Sequence, residues 1–114
     1  VYLDNFDYIW NVRQRPSESD LEQRRWYAEN TGTPMNNQTC QTEHLKQMLY
    51  ILPHLTSDAV IACDDTYKWN DCWVGKCGPV VVFLLAHGFT IVQDIRSIKD
   101  VGVILKRNLF ENVI

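Results

Sequence analysis

The stretch Ala59-Val60-Ile61-Ala62-Cys63-Asp64-Asp65 decides the fold, because it is a short apolar run that ends on two acids. A second run of the same kind, Val1-Tyr2-Leu3-Asp4, stands at the start of the sequence. Such runs are typical of strands that are buried in a parallel sheet. The carboxyl ends of neighbouring parallel strands meet at one edge of the sheet, where open α/β folds bind their ligands. We therefore expect Asp4, Asp64 and Asp65 to share one edge.

The composition fits a single domain spanning residues 1–114. The hydrophobic fraction of 46% and the charged fraction of 22% exclude a disordered chain. The net charge of −3 gives no electrostatic reason to expect a nucleic acid or an anionic membrane as partner. The longest apolar stretch, Pro79 to Ala86, is too short to cross a bilayer, and no signal peptide is visible. We expect a cytoplasmic protein that does not bind membranes.

The four cysteines predict reduced thiols and no zinc site. They are Cys40, Cys63, Cys72 and Cys77. Cys63 lies inside an apolar run and is expected to be a small core residue. No CxxC pair is present, which disfavours structural zinc, and free thiols suit a cytoplasmic protein.

Three helices are predicted. A capping-box pattern at Ser17–Asp20 precedes the first, at residues 21–29. The second has Thr42 as its N-cap and stops at Pro53. Its core-facing residues, spaced at i, i+3, i+4 and i+7, are Leu45, Met48, Leu49 and Leu52. The third covers residues 80–87 and is apolar on nearly all sides, which predicts that it is well buried.

Four strands are predicted, at residues 1–4, 59–64, 89–94 and 101–107. Residues 66–77 are expected to form a loop. The linker between the last two strands, residues 95–100, is too short for a parallel crossover, so this pair should be antiparallel.

This order of elements resembles the C-terminal half of a class I S-adenosylmethionine-dependent methyltransferase. The resemblance rests on Val1-Tyr2-Leu3-Asp4, on residues 52–65 as a helix end followed by a strand and Asp, and on residues 75–89 as the next helix with its exit into a strand. That family has strand order 3-2-1-4-5-7-6, with strand 7 antiparallel, and this chain resembles strands 4 to 7. The resemblance implies an α/β fold, a truncated Rossmann-like half-sheet of four strands, two parallel and then an antiparallel pair, with flanking helices.

Within the family the acidic strand ends are most similar to those of catechol O-methyltransferase-type enzymes. The resemblance implies a Mg²⁺ bound by Asp4, Asp64 and Asp65, with Asp at the third position where that family has Asn. Hard divalent cations prefer carboxylate oxygens, which agrees with this reading. The alternative is that Asp64 and Asp65 cap a loop while Asp4 is solvated.

The family's cofactor motif has no counterpart in these residues. The glycine-rich turn after strand 1 and the acid after strand 2, which hold S-adenosylmethionine in that family, are missing from the 114 residues. Gly75-Lys76-Cys77-Gly78 follows an expected loop and is either an anion-binding helix start or a tight turn. We expect no cofactor in this chain alone, and S-adenosylmethionine only if a missing N-terminal half is supplied.

Aromatic residues follow both acidic strand ends and are candidates for the wall of a substrate pocket. The pocket candidates are Tyr8, Trp10, His44, Tyr67, Trp69 and Trp73. The alternative for the aromatic residues is packing of loops over a small core. His44 lies off the apolar stripe of its helix, which favours a solvated residue over a base near Asp4.

Two functional hypotheses follow. The chain is a methyltransferase-like half-domain that is not catalytic alone, or it is the substrate and metal portion of a complete O-methyltransferase whose cofactor half is upstream or on another chain. In both, the edge of strand 1–4 needs a cover. We expect a homodimer through that edge, or pairing there with the missing N-terminal half. A different enzyme on a flavodoxin-like sheet is disfavoured, because nothing in the sequence resembles a phosphate loop.

Overall fold

The computed structural model describes residues 1–3, 17–97 and 100–108, apart from the side chain of Asp20. The elements are, in chain order, β1 (Tyr2–Leu3), α1 (Glu18–Thr31), α2 (Asn37–Ile51), a 3₁₀ turn (Leu52–His54), β2 (Val60–Asp64), β3 (Thr66–Trp69), β4 (Cys72–Gly75), α3 (Gly78–Ala86), β5 (Phe89–Arg96) and β6 (Val101–Arg107). No helix in these ranges is long and apolar enough to span a membrane.

A four-stranded mixed sheet with the order β1-β2-β6-β5 forms the centre of the fold. β1 and β2 are parallel, with Leu3 opposite Cys63, as their apolar runs predicted. β6 lies between β2 and β5 and is antiparallel to both, which confirms the antiparallel pairing of the last two strands. The structure is therefore α/β with one parallel pair followed by antiparallel strands.

The core fills one face of this sheet. Ile61 and Leu105 are cross-strand partners and are both fully buried. Met48 of α2 and Leu84 of α3 belong to the same cluster, so these two helices cover that face. Each such side chain contributes about 1.5–3 kcal/mol through burial.

The second helix begins six residues earlier than predicted, and Thr42 is not its N-cap. Asn36 is the cap: its Oδ1 accepts a hydrogen bond from the Thr39 N–H at 2.9 Å, and Thr39 Oγ1 accepts one from the Asn36 N–H at 2.9 Å. This reciprocal capping box satisfies two N–H groups at once. It outcompetes a start at Thr42, which lies within the helix.

The buried stripe of α2 is also rotated from the prediction. Its buried residues are Cys40, His44 and Met48, spaced at i, i+4 and i+8, whereas Leu49 is 47% exposed. α3 is less buried than predicted: Val82 is 56% exposed, and only one side of this apolar helix is in the core. Apolar composition alone therefore did not identify which helix side faces the sheet.

The expected loop at residues 66–77 is wrong. β3 and β4 form a separate two-stranded antiparallel sheet, with Thr66 opposite Gly75. Asn70 and Asp71 make the turn with φ of 48° and 60°, which these two residue types tolerate better than others. α1 is present as predicted but longer, and none of its described side chains is buried.

Candidate functional site

The candidate site lies at the carboxyl end of β2, where the strand leaves the sheet. Asp64 is the last strand residue and is opposite Gly102 of β6. Asp65 follows in a left-handed conformation, with φ of 49°, and its N–H donates to the carbonyl of Val101 at 3.0 Å. β1 runs parallel to β2, so its carboxyl end, Leu3, is at the same edge. Asp4 follows Leu3 and lies outside the described residues.

Lys76 contributes a cation to this edge that the sequence did not reveal. Its Nζ is 3.1 Å from Oδ2 of Asp65, and its side chain is only 4% exposed. The Asp65 side chain is 31% exposed, so this ion pair lies at the boundary between the interior and solvent. A buried ammonium is unfavourable without a counter-charge, and Asp65 supplies one.

Backbone contacts fix the position of Lys76 independently of the ion pair. The Lys76 N–H donates to the carbonyl of Asp65 at 3.0 Å. Gly75 has φ of +97°, and a Cβ at this position would be 1.9 Å from that same carbonyl oxygen. Gln41 of α2 adds a contact, since its Nε2 donates to the carbonyl of Gly75 at 2.9 Å. The end of the hairpin is therefore held by hydrogen bonds to Asp65, directly after β2, and to Gln41 of α2.

The side chain of Thr66 links the end of β2 to the start of α3. It is fully buried, and its Oγ1 donates to the carbonyl of Asp64 at 2.9 Å while accepting from the N–H of Cys77 at 3.0 Å. One hydroxyl thus satisfies a strand carbonyl and an amide next to the start of α3. The close approach of these segments explains why Gly75-Lys76-Cys77-Gly78 is a tight turn.

Two buried thiols lie beneath this turn. The hydrogen bond with Cys63, followed by burial, raises the pKa of the Cys77 thiol far above its usual range. Cys77 Sγ is also 3.9 Å from the carbonyl oxygen of Leu3, which it meets as a weak donor. Cys63 is 2% exposed, which confirms it as a core residue. The Cys77 thiol is therefore neutral and poorly nucleophilic in the folded protein.

The cysteines are free, and only Cys72 at the start of β4 is exposed. Within the described parts of the chain, no group of three or more His, Cys, Asp or Glu residues could hold a metal ion. The Mg²⁺ site of Asp4, Asp64 and Asp65 remains a prediction, because its first member lies outside those parts.

The hairpin distributes its aromatic residues over both of its faces. Tyr67 and Trp69 are two apart on β3 and share one face, while Trp73 is opposite Lys68 and lies on the other. Arg96 of β5 is 5.8 Å from the Tyr67 ring and donates to the Lys68 carbonyl.

The three candidate rings of the hairpin differ in burial. Trp69 is 62% exposed, whereas Tyr67 and Trp73 are half-buried. A substrate pocket walled by these rings remains a prediction. Tyr8 and Trp10, the other aromatic candidates, lie outside the described residues.

His44 is fully buried, so the expectation of a solvated helix residue is wrong. Its Nδ1 is 2.7 Å from the carbonyl oxygen of Cys40, one turn earlier in α2. Since a carbonyl oxygen only accepts, Nδ1 carries the proton. His44 is buried because the buried side of α2 is rotated toward it, away from the predicted leucine stripe. A role for His44 near Asp4 remains a prediction.

Comparison of this chain with family models, with curated proteins and with solved structures gives no match. The function is therefore inferred from the strand order and from the contacts at the end of β2.

Proposed function

We propose that this chain is the later half of a methyltransferase-like sheet, that it does not bind S-adenosylmethionine by itself, and that it associates through the β1 edge. The observation that supports this most directly is the strand order β1-β2-β6-β5, with β6 antiparallel to both neighbours. The resemblance to strands 4-5-7-6 implies this order independently of the observed pairings. Strand order and direction together are more specific than any single motif in the sequence.

The β1 edge is where a missing element would be added. In the described residues β1 is the boundary of the sheet and its strand partner is β2. Val1 is 49% exposed, Tyr2 64% and Val60 44% near this edge. Sheet edges with exposed apolar side chains favour pairing with another chain, and natural proteins generally cover them. A second copy related by a two-fold axis is the simplest cover.

The lack of a cofactor motif supports the proposal that the chain does not bind S-adenosylmethionine by itself. Gly75 and Gly78 lie between β4 and α3, but they lack the G-x-G-x-x-G spacing of the Rossmann type, and β4 belongs to the two-stranded sheet and not to the main one. Gly75 relieves a collision with the carbonyl of Asp65, and a Cβ at Gly78 would be 2.6 Å from the carbonyl oxygen of Trp73. The glycines of the turn before α3 therefore have a structural explanation.

Calorimetry and light scattering test the proposal. Titration of the purified chain with S-adenosylmethionine should release no heat of binding, and light scattering at micromolar concentration should give the mass of a dimer. Tyr2→Lys should dissociate the dimer, because a charge would be placed at the edge. Trp26→Lys is the matched control, since Trp26 is also 64% exposed but lies on α1. A monomeric wild type, or clear binding of S-adenosylmethionine, would refute the proposal.

A second candidate is the substrate and metal portion of a complete metal-dependent O-methyltransferase, with its cofactor half upstream or on another chain. Two carboxylates, Asp64 and Asp65, stand at the carboxyl end of a strand with a parallel neighbour, which favours this candidate. The in-frame codons before Val1 distinguish the two. A glycine-rich strand-turn-helix encoded there supports the complete enzyme, and its absence there and on any co-purifying chain contradicts it.

A further inference from the structure

The ion pair between Lys76 and Asp65 has a consequence for cation binding at the end of β2. Of the described residues, Lys76 is the only Lys, Arg, Asp or Glu in the buried interior. Its ammonium lies 3.1 Å from the carboxylate that the resemblance assigns to Mg²⁺. A carboxylate in contact with a buried ammonium is already neutralised, so its attraction for a second cation is weak.

Divalent metal and ammonium compete for the same oxygen. Mg²⁺ binds carboxylate oxygen at about 2.0–2.1 Å. An ion bound to Oδ2 of Asp65 would therefore lie within about 5 Å of Lys76 Nζ, at which distance two positive charges repel strongly in a partly buried site. Moving Lys76 away is also costly, since its side chain is 4% exposed and would lose the counter-charge that Asp65 supplies in the interior.

The backbone leaves the lysine little freedom to move aside. The Lys76 N–H bonds to the Asp65 carbonyl, and the preceding Gly75 is packed against the same oxygen and bonded by Gln41. The base of the side chain thus stays next to Asp65 whatever its ammonium does. Asp65 is therefore a poor fit to the role of metal ligand.

We infer that Lys76 is the resident cation of this strand end, occupying the position that a divalent metal would otherwise take at Asp65. The inference rests on the ion pair and its surroundings, and it does not depend on the methyltransferase likeness. It predicts that the folded chain is indifferent to Mg²⁺ and Mn²⁺ at millimolar concentration. It also predicts that removing the ammonium exposes a latent affinity for divalent cations.

Thermal melting with and without metal tests this. The wild-type chain should melt at the same temperature in EDTA and in 5 mM Mg²⁺ or Mn²⁺. Lys76→Met retains the length of the side chain without its charge, and its melting temperature should rise by several degrees when Mn²⁺ is added. The double variant Lys76→Met/Asp65→Asn should lose that response. A Lys76→Met protein that melts identically with and without Mn²⁺ would overturn the inference.

A second comparison decides the matter even if Lys76→Met does not fold. Asp65→Asn removes the counter-charge that lies 3.1 Å from the buried ammonium, so it should lower the melting temperature equally in EDTA and in Mg²⁺. If Asp65 instead binds metal, the loss should appear only in Mg²⁺, and the wild type should be stabilised by Mg²⁺. That result would refute the inference. Asp58→Asn, at a fully exposed carboxylate before β2, is the matched control and should show no metal-dependent difference.

Discussion

Replacing Gly75 by alanine should disrupt the candidate site and much of the stability of the protein. The left-handed backbone, with φ of +97°, costs an alanine about 1–2 kcal/mol. The added Cβ would also be 1.9 Å from the carbonyl oxygen of Asp65, a backbone atom that cannot rotate away. The hydrogen bond from the Lys76 N–H to that oxygen must then lengthen, at a further cost of about 1 kcal/mol.

These contributions sum to a loss of about 2–3 kcal/mol in the free energy of unfolding, which is roughly a 30- to 150-fold change in the folding equilibrium. Urea denaturation followed by circular dichroism measures it directly. The midpoint should fall while the slope with denaturant is unchanged, because the surface exposed on unfolding is the same.

Gly32→Ala is the matched control for this experiment. Gly32 also has a positive φ, +73°, but a Cβ there meets nothing within 4 Å. Its cost should therefore be limited to the backbone conformation, about 1–2 kcal/mol, without the collision and the lengthened hydrogen bond. Equal losses in the two variants would refute the argument that the close approach to Asp65 determines the choice of glycine at position 75.

Four further predictions concern the thiols, the core and the helix cap. Brief iodoacetamide labelling under native conditions should modify Cys72 alone, as mass spectrometry can show, because the other cysteines are buried. The free energy of unfolding should fall above about pH 8.5, because the Cys77 thiol ionises there in the unfolded chain but stays protonated in the folded one. Cys77→Ala should reduce this decline. Leu105→Ala should cost about 3 kcal/mol in urea denaturation and exposed Lys106→Ala less than about 0.5. Asn36→Ala should cost about 1 kcal/mol of stability by removing the α2 cap.

The strands were predictable because apolar runs and short linkers leave few alternatives. The final strand, Val101–Arg107, agrees with the sequence prediction at both ends, and the preceding one extends only two residues beyond it, to Arg96. The short linker between them permitted only an antiparallel pair. Only the family resemblance predicted that β6 lies between β2 and β5.

The hairpin was missed although its sequence contains a usable signal. Asn70-Asp71 separates two four-residue runs, Thr66–Trp69 and Cys72–Gly75, that are rich in aromatic and β-branched residues. A two-residue turn of this composition between such runs is typical of a hairpin. The polar residues among them favoured a loop when hydrophobicity alone was considered.

The errors in α2 arose from competition between local signals. The leucines at 45, 49 and 52 produced an apparent stripe, but the capping box at Asn36 sets where the helix begins, and Cys40 and His44 complete its buried side. The contact between Lys76 and Asp65 has no sequence signature, because it joins residues eleven positions apart through a hairpin register.

The hairpin is therefore the element that determines the charge at the end of β2. Thr66 is opposite Gly75, so the strand that leaves the sheet after Asp65 returns directly beside it and delivers Lys76 to its carboxylate. A shift of one residue in this register would point the lysine to the opposite face, because side chains alternate along a strand. Two adjacent acids at a strand end predict a cation site when they are considered alone, but in this fold the returning strand brings its own cation. The chemistry of the edge is thus set by the pairing of β3 with β4 as much as by Asp64 and Asp65.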